Sequence, residues 1–84
     1  MIGLKVLFLA RLRELTGRAS VSVTVAEPGV DSLRASLAAL LPAAAIDALF
    51  AENVRLAVNQ QLWDGRTSFA DGDEIAFLPP VTGG

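Results

Sequence analysis

The side chains most often recruited for chemistry are missing from this sequence, which has no Cys, His or Tyr in 84 residues. Without Cys there is no disulfide framework, thiolate nucleophile or Cys-ligated metal. Without His no side chain titrates naturally near neutral pH, and no imidazole is available to a metal. Two features remain. Asp71, Asp73 and Glu74 form a cluster of acids, and the chain closes on Pro79-Pro80-Val81-Thr82-Gly83-Gly84. The acids sit in an Asp-Gly-Asp turn and lack the further ligand spacing of a calcium loop. They therefore read as exposed turn charges, available to basic residues of another protein. The closing segment is different. Two prolines have no N–H to donate to a ladder, so they end a strand and stiffen the exit of the chain. Val81-Thr82 favours extended backbone, and Gly83-Gly84 adds no side chain. Residues 79–84 thus read as an arm whose carboxylate at Gly84 is the candidate working group. An arm this slim fits a narrow channel in which any Cβ would collide with the walls. The competing reading is an ordinary frayed terminus.

Such an arm needs a folded body to present it. A hydrophobic fraction of 52% and a mean hydropathy of +0.49 place the chain well outside disordered compositions. The length predicts one domain, over residues 1–78, that buries roughly 60–65% of its unfolded surface and has little room for a deep cleft. The run from Ile2 to Leu9 predicts a strand apolar on both faces, with Leu4, Val6 and Phe8 on one side and Lys5, Leu7 and Leu9 on the other. A short helix over Leu9–Thr16 follows, with Gly17 as its C-cap. The alternation of Ser20–Ala26 predicts a half-buried strand pairing with the first. Beyond the Glu27-Pro28-Gly29 turn, Asp31 is placed to cap a helix whose stripe is Leu33, Leu37, Leu40 and Leu41. Pro42 interrupts it, and Ala43–Glu52 continues in helical pattern. Three more strands are expected at Val54–Gln60, at Leu62-Trp63 on an edge, and at Glu74–Leu78 after the Asp71-Gly72-Asp73 turn. The first and last strands are the most apolar, so they should lie side by side within a mixed sheet, with one main helix crossing a face. That is an α+β fold of the β-grasp type.

Strand parity then proposes a docking surface. With Phe8 and Phe77 turned toward the helix, Leu9 and Leu78 face outward on neighbouring strands; Leu62 joins them and Arg13 stands at the rim. An apolar patch rimmed by charge is the signature of a protein interface. Trp63 reads as a partly buried edge aromatic. Arg11, Arg13 and Arg18 read as a solvated helix face, and Lys5, the one lysine, as a solvated strand residue. Asn59-Gln60-Gln61 suits hydrogen bonding to turn backbone. Seven basic residues against nine acidic ones, net charge -2, argue against nucleic acid. No apolar run approaches the ~20 residues of a membrane span, and the N-terminus lacks the pattern of a signal peptide. These features lead us to expect a cytoplasmic protein that meets neither nucleic acid nor membrane.

The segment Asp71-Gly72-Asp73-Glu74-Ile75-Ala76-Phe77-Leu78, running into Pro79-Pro80-Val81-Thr82-Gly83-Gly84, resembles the small, sulfur-carrying subunits of molybdopterin synthase. The resemblance extends to Lys5-Val6-Leu7-Phe8-Leu9-Ala10, to Arg13-Glu14-Leu15 and to Ala57-Val58-Asn59-Gln60, with the middle helices matching mainly in pattern. It implies a ubiquitin-like fold and a C-terminal glycine that an ATP-dependent, ubiquitin-activating-like adenylyltransferase activates for conversion to a thiocarboxylate. It implies a large-subunit partner, in whose active site sulfur passes to a cyclic pyranopterin, and docking by apolar residues at the positions of Leu9, Leu62 and Leu78. Relatives often carry Phe at the first and last of these. No bound cofactor or metal is implied for the carrier itself; ATP belongs to the activating enzyme. Two neighbouring readings stay open: the sulfur carrier of thiamine synthesis, and a ubiquitin-like modifier or binding module.

Overall fold

The computed structural model describes residues 1–80. Its elements are β1 (Ile2–Phe8), α1 (Arg11–Thr16), β2 (Ser20–Val25), α2 (Val30–Ala38), α3 (Ala43–Leu49), β3 (Arg55–Val58), β4 (Gln61–Leu62) and β5 (Glu74–Leu78). They build one mixed sheet of order β2-β1-β5-β3-β4. β1 and β5 pair in parallel at its centre, as their shared apolarity predicts, while every other pairing is antiparallel.

Alternation along the strands places Leu4, Val6 and Phe8 of β1, Val23 and Val25 of β2, and Ile75 and Phe77 of β5 in the core. Leu33 and Leu37 of α2, Ile46 and Leu49 of α3, and Leu12 of α1 close over them. Phe8 and Phe77 are neighbours in the register, with ring centroids 6.0 Å apart. Phe50 meets Phe77 edge-on at 5.3 Å, and Arg34 lies over the Phe50 ring while approaching Asp47 at 3.9 Å. α2 and α3 are thereby joined across the rim of the core.

Several local expectations are corrected. α1 starts at Arg11 rather than Leu9, because Ala10 takes a positive φ of 51° that turns the chain out of β1. Gly17 does end that helix, with φ 73° and its N–H donating to the Arg13 carbonyl. Asp31 does not cap α2. The chain enters that helix at Gly29, so Asp31 falls within the first turn, and Ser32 Oγ instead accepts from the Glu27 N–H. Leu40 leaves the core stripe, since α2 ends at Ala38 and the following turn points it to solvent, whereas Leu41 stays buried. α3 stops at Leu49. β3 is shorter than its apolar run, because Asn59 and Gln60 both take positive φ, 51° and 71°, and form the two central residues of a tight hairpin. That turn also sets β4 at Gln61–Leu62, one residue earlier than expected.

Candidate functional site

The face of the sheet turned away from the helices carries the candidate docking surface. In the register, Leu62 lies opposite Ala57, Ala57 opposite Ala76, and Ala76 opposite Leu7. One apolar row therefore crosses four strands. Parallel to it, a polar row runs through Ser22, Lys5 and Glu74. On the other side of the apolar row come Leu78, opposite Arg55, and Leu9, just beyond the end of β1. The outer face thus grades from polar at one end to apolar at the end where β5 stops. Leu62 is 63% exposed and Leu9 40%, while Leu78 is half-buried. Arg13 is exposed on α1 and lines a hollow with Ala10, the residue after Leu9. The four residues singled out for docking therefore gather toward one end of the sheet.

Ala57 and Ala76 escaped the sequence reading, yet they form the floor of this surface, and both are largely hidden between larger neighbours. The signal was present in parity: Ala76 lies two residues from Leu78, which had been placed outward, and Ala57 alternates with Leu56 and Val58. Alanine draws little notice in a search for anchors, although its small side chain keeps the floor between Leu7 and Leu62 low.

β5 delivers the chain to the same end. Pro79 and Pro80 are half-buried and share a groove with Arg11, Leu12 and Leu15 of α1, Ala48 of α3, and the loop residues Ala51, Asn53 and Val54. The root of the arm is thus seated on the helical layer. Val81, Thr82, Gly83 and Gly84, the remaining arm residues, lie outside the described residues.

The acid cluster proves to be architecture. The Asp71 carboxylate accepts from the Gly3 N–H at 2.6 Å, and the Gly72 N–H donates to the Gly3 carbonyl at 2.7 Å, with Gly72 at φ 89°. Asp73 accepts from the Asn59 side-chain amide at 2.9 Å and from the Ala70 N–H at 2.8 Å. Asn59 completes the lock by accepting from the Glu74 N–H at 3.0 Å. The turn before β5 is in this way tied to both β1 and the β3–β4 hairpin turn, which fixes the strand that leads into the arm. Among the described residues no group of His, Cys, Asp and Glu could hold a metal. Trp63 is the partly buried edge aromatic it was expected to be, packed on Phe69 at 5.2 Å and donating from Nε1 to the Thr67 carbonyl. In the same edge loop Asp64 accepts from the Arg66 and Thr67 N–H groups and the Thr67 hydroxyl, which lowers its pKa from 3.8 to about 2, the hydroxyl contributing most. Asp64 is a loop staple. No helix among the described residues is long and apolar enough to cross a membrane.

The family model described as the ThiS family matches residues 6–84, nearly all of the chain. The chain belongs to the ThiS family. A curated relative from Escherichia coli (strain K12), "Molybdopterin synthase sulfur carrier subunit", is 44% identical over 81 residues, covering 96% of this chain and 99% of its own. Among solved structures, SAMP1 from Haloferax volcanii superposes with a TM-score of 0.79 at 26% identity, covering 98% of this chain and 99% of that one. A chain from the complex of subunits 1 and 2 of the molybdopterin-converting factor of Helicobacter pylori superposes at 0.69 with 25% identity, covering 99% of this chain and all of that one. The chain thus has a ubiquitin-like β-grasp fold.

Proposed function

We propose that this ThiS-family chain is the sulfur-carrying small subunit of a molybdopterin synthase, working through the carboxylate of Gly84. The observation that carries this reading is convergence: the apolar part of the outer face and the root of the arm lie at the same end of the sheet. A partner seated on Leu9, Leu62 and Leu78 is then positioned to receive the arm. The curated relative at 44% identity supports the same role, and the Helicobacter pylori neighbour supports a large-subunit partner.

The chemistry suits a chain without Cys or His. A carboxylate resists nucleophiles because of its charge and its poor oxide leaving group. An adenylyltransferase partner would transfer AMP from ATP to the Gly84 carboxylate and release pyrophosphate, giving an acyl adenylate with a good leaving group. Sulfide-level sulfur (hydrosulfide) from a donor then attacks the acyl carbon and displaces AMP, leaving a thiocarboxylate whose sulfur is nucleophilic without any cysteine. In the large subunit that sulfur would form a C–S bond at an oxygen-bearing pyranopterin carbon as the C–O bond there breaks, the oxygen leaving as phosphate or water. Cleavage of the acyl–sulfur bond by water would leave sulfur on the pterin and restore the carboxylate. The carrier supplies a reachable terminus and a docking face, while general acid–base groups come from the partner.

Deleting Gly84, or extending the chain beyond it, should abolish molybdopterin formation in a purified system while leaving far-UV circular dichroism and melting unchanged. A variant lacking Gly84 that still supported product would overturn the proposal. The SAMP1 likeness supports a second reading, a ubiquitin-like modifier joined to lysines of other proteins. Intact-mass analysis separates the two: exchange of one oxygen for sulfur on the free chain marks a carrier, and isopeptide-linked conjugates mark a modifier.

A further inference from the structure

Three of the seven basic residues, Arg11, Arg13 and Arg18, fall within eight positions of sequence and line one hollow with Ala10, Glu14, Gly17 and Ala19. All three are exposed, and among the described residues none has a carboxylate within 4.0 Å; there, Arg34–Asp47 is the one such pair. The chain as a whole carries net charge -2, so this corner is positive on a molecule that is negative elsewhere. Arg11 also lines the groove that holds Pro79 and Pro80, which joins the arginine corner to the root of the arm.

We infer that Arg11 and Arg18 extend the docking surface beyond its Arg13 rim, as an electrostatic guide that receives an acidic surface on the protein that takes the arm. This rests on the carrier reading above. Guanidinium groups favour carboxylates through paired, planar hydrogen bonds. Exposed charges of this kind act chiefly on the rate and orientation of encounter, and less on how long the complex lasts. The position is what gives the steering a use, because a partner drawn to the corner arrives at the end of the sheet where the arm leaves. Polyphosphate backbones are the poorer match, since nine acidic residues would repel them and the hollow itself includes Glu14.

The test is stopped-flow association of the full chain with the molybdopterin synthase large subunit, comparing the parent with the Arg11→Glu/Arg18→Glu double variant across salt concentrations. At low salt the variant should associate roughly tenfold more slowly, with a shallower dependence on salt and a dissociation rate close to that of the parent. Near ~1 M salt, where the Debye length is about 3 Å, the two should converge. Matching melting curves show that the double variant still folds, and the milder Arg11→Gln/Arg18→Gln pair gives the same comparison without charge reversal. Equal association rates and equal salt slopes for a parent that does bind would overturn the inference and leave the carrier reading intact. A parent that does not bind the large subunit at any salt would overturn the carrier reading and, with it, this one. Salt-sensitive capture of a short single-stranded oligonucleotide through the same arginines, with no change in subunit association, would also overturn it.

Discussion

The two faces of the central strands are built from the same few residue types and end in opposite environments. On the inner face Val6, Phe8, Ile75 and Phe77 lie under α2 and α3 with almost no exposure. On the outer face Leu7, Ala76, Ala57 and Leu62 run in an equally continuous row, yet no helix among the described residues packs over it. The inner row stabilises the fold, each fully buried large side chain contributing about 1.5–3 kcal/mol. The outer row is left for the partner that the proposed carrier role requires. The lesson is that strand parity separates apolar residues covered by the helices from apolar residues left on the outer face, even where both are leucine or alanine.

Substitutions can break that comparison, beginning with the largest effect. Phe77→Ala empties the centre of the inner row and should cost about 3–5 kcal/mol in urea denaturation. A large part of a small domain's total stability would then be lost. If the loss were below about 1 kcal/mol, the inner face would not be the structural one. Leu62→Asp and Leu78→Asp probe the other side. Each should weaken binding to the large subunit by at least about tenfold, about 1.4 kcal/mol, in calorimetry. The exposed Leu62 site should change stability by no more than about 0.5 kcal/mol. Undiminished binding by both variants would remove the outer face as a docking surface.

Asn59→Ala sharpens the contrast from the polar end. It removes the hydrogen bonds to Asp73 and to the Glu74 N–H and leaves Ala at a positive φ, so stability should fall by about 1–2 kcal/mol while partner affinity stays within about twofold. The smallest effect belongs to Asp64, in the loop at the sheet's far edge. Its lowered pKa means that the ionised form is favoured by folding. Its stabilising effect is complete above 3.8, the ordinary Asp value, and is lost as pH falls through about 2. Asp64→Asn should flatten stability against pH in that window in acid titrations followed by circular dichroism, and should leave partner binding unaffected.

Much of this is legible in the sequence. Alternation in β1, β2 and β5 placed Phe8 and Phe77 inward, and the apolarity of both ends of the chain paired β1 with β5. Local physics sufficed there, because period-two patterns and glycine turns need only a few consecutive residues. Ala57 and Ala76 were less visible, since their burial comes from strands far apart in sequence. The expected fates of Leu40 and Asp31 failed for a related reason. Where a helix begins and ends depends on how its neighbours pack, and a shift of a residue or two turns a side chain from core to solvent or takes an acid off the cap position.

The sequence by itself determined that Cys, His and Tyr are absent, that apolar residues fall on both faces of the first and last strands, and that a Pro-Pro-led arm is the segment to examine. Those are properties of composition and short-range pattern, which survive in any conformation. Only the tertiary structure decided that the apolar outer row, the seat of Pro79 and Pro80, and the Arg11–Arg18 corner share one end of the molecule. That coincidence depends on β1 and β5 running parallel, so that the C-terminal end of the first strand lies beside that of the last, about 70 residues away in the chain.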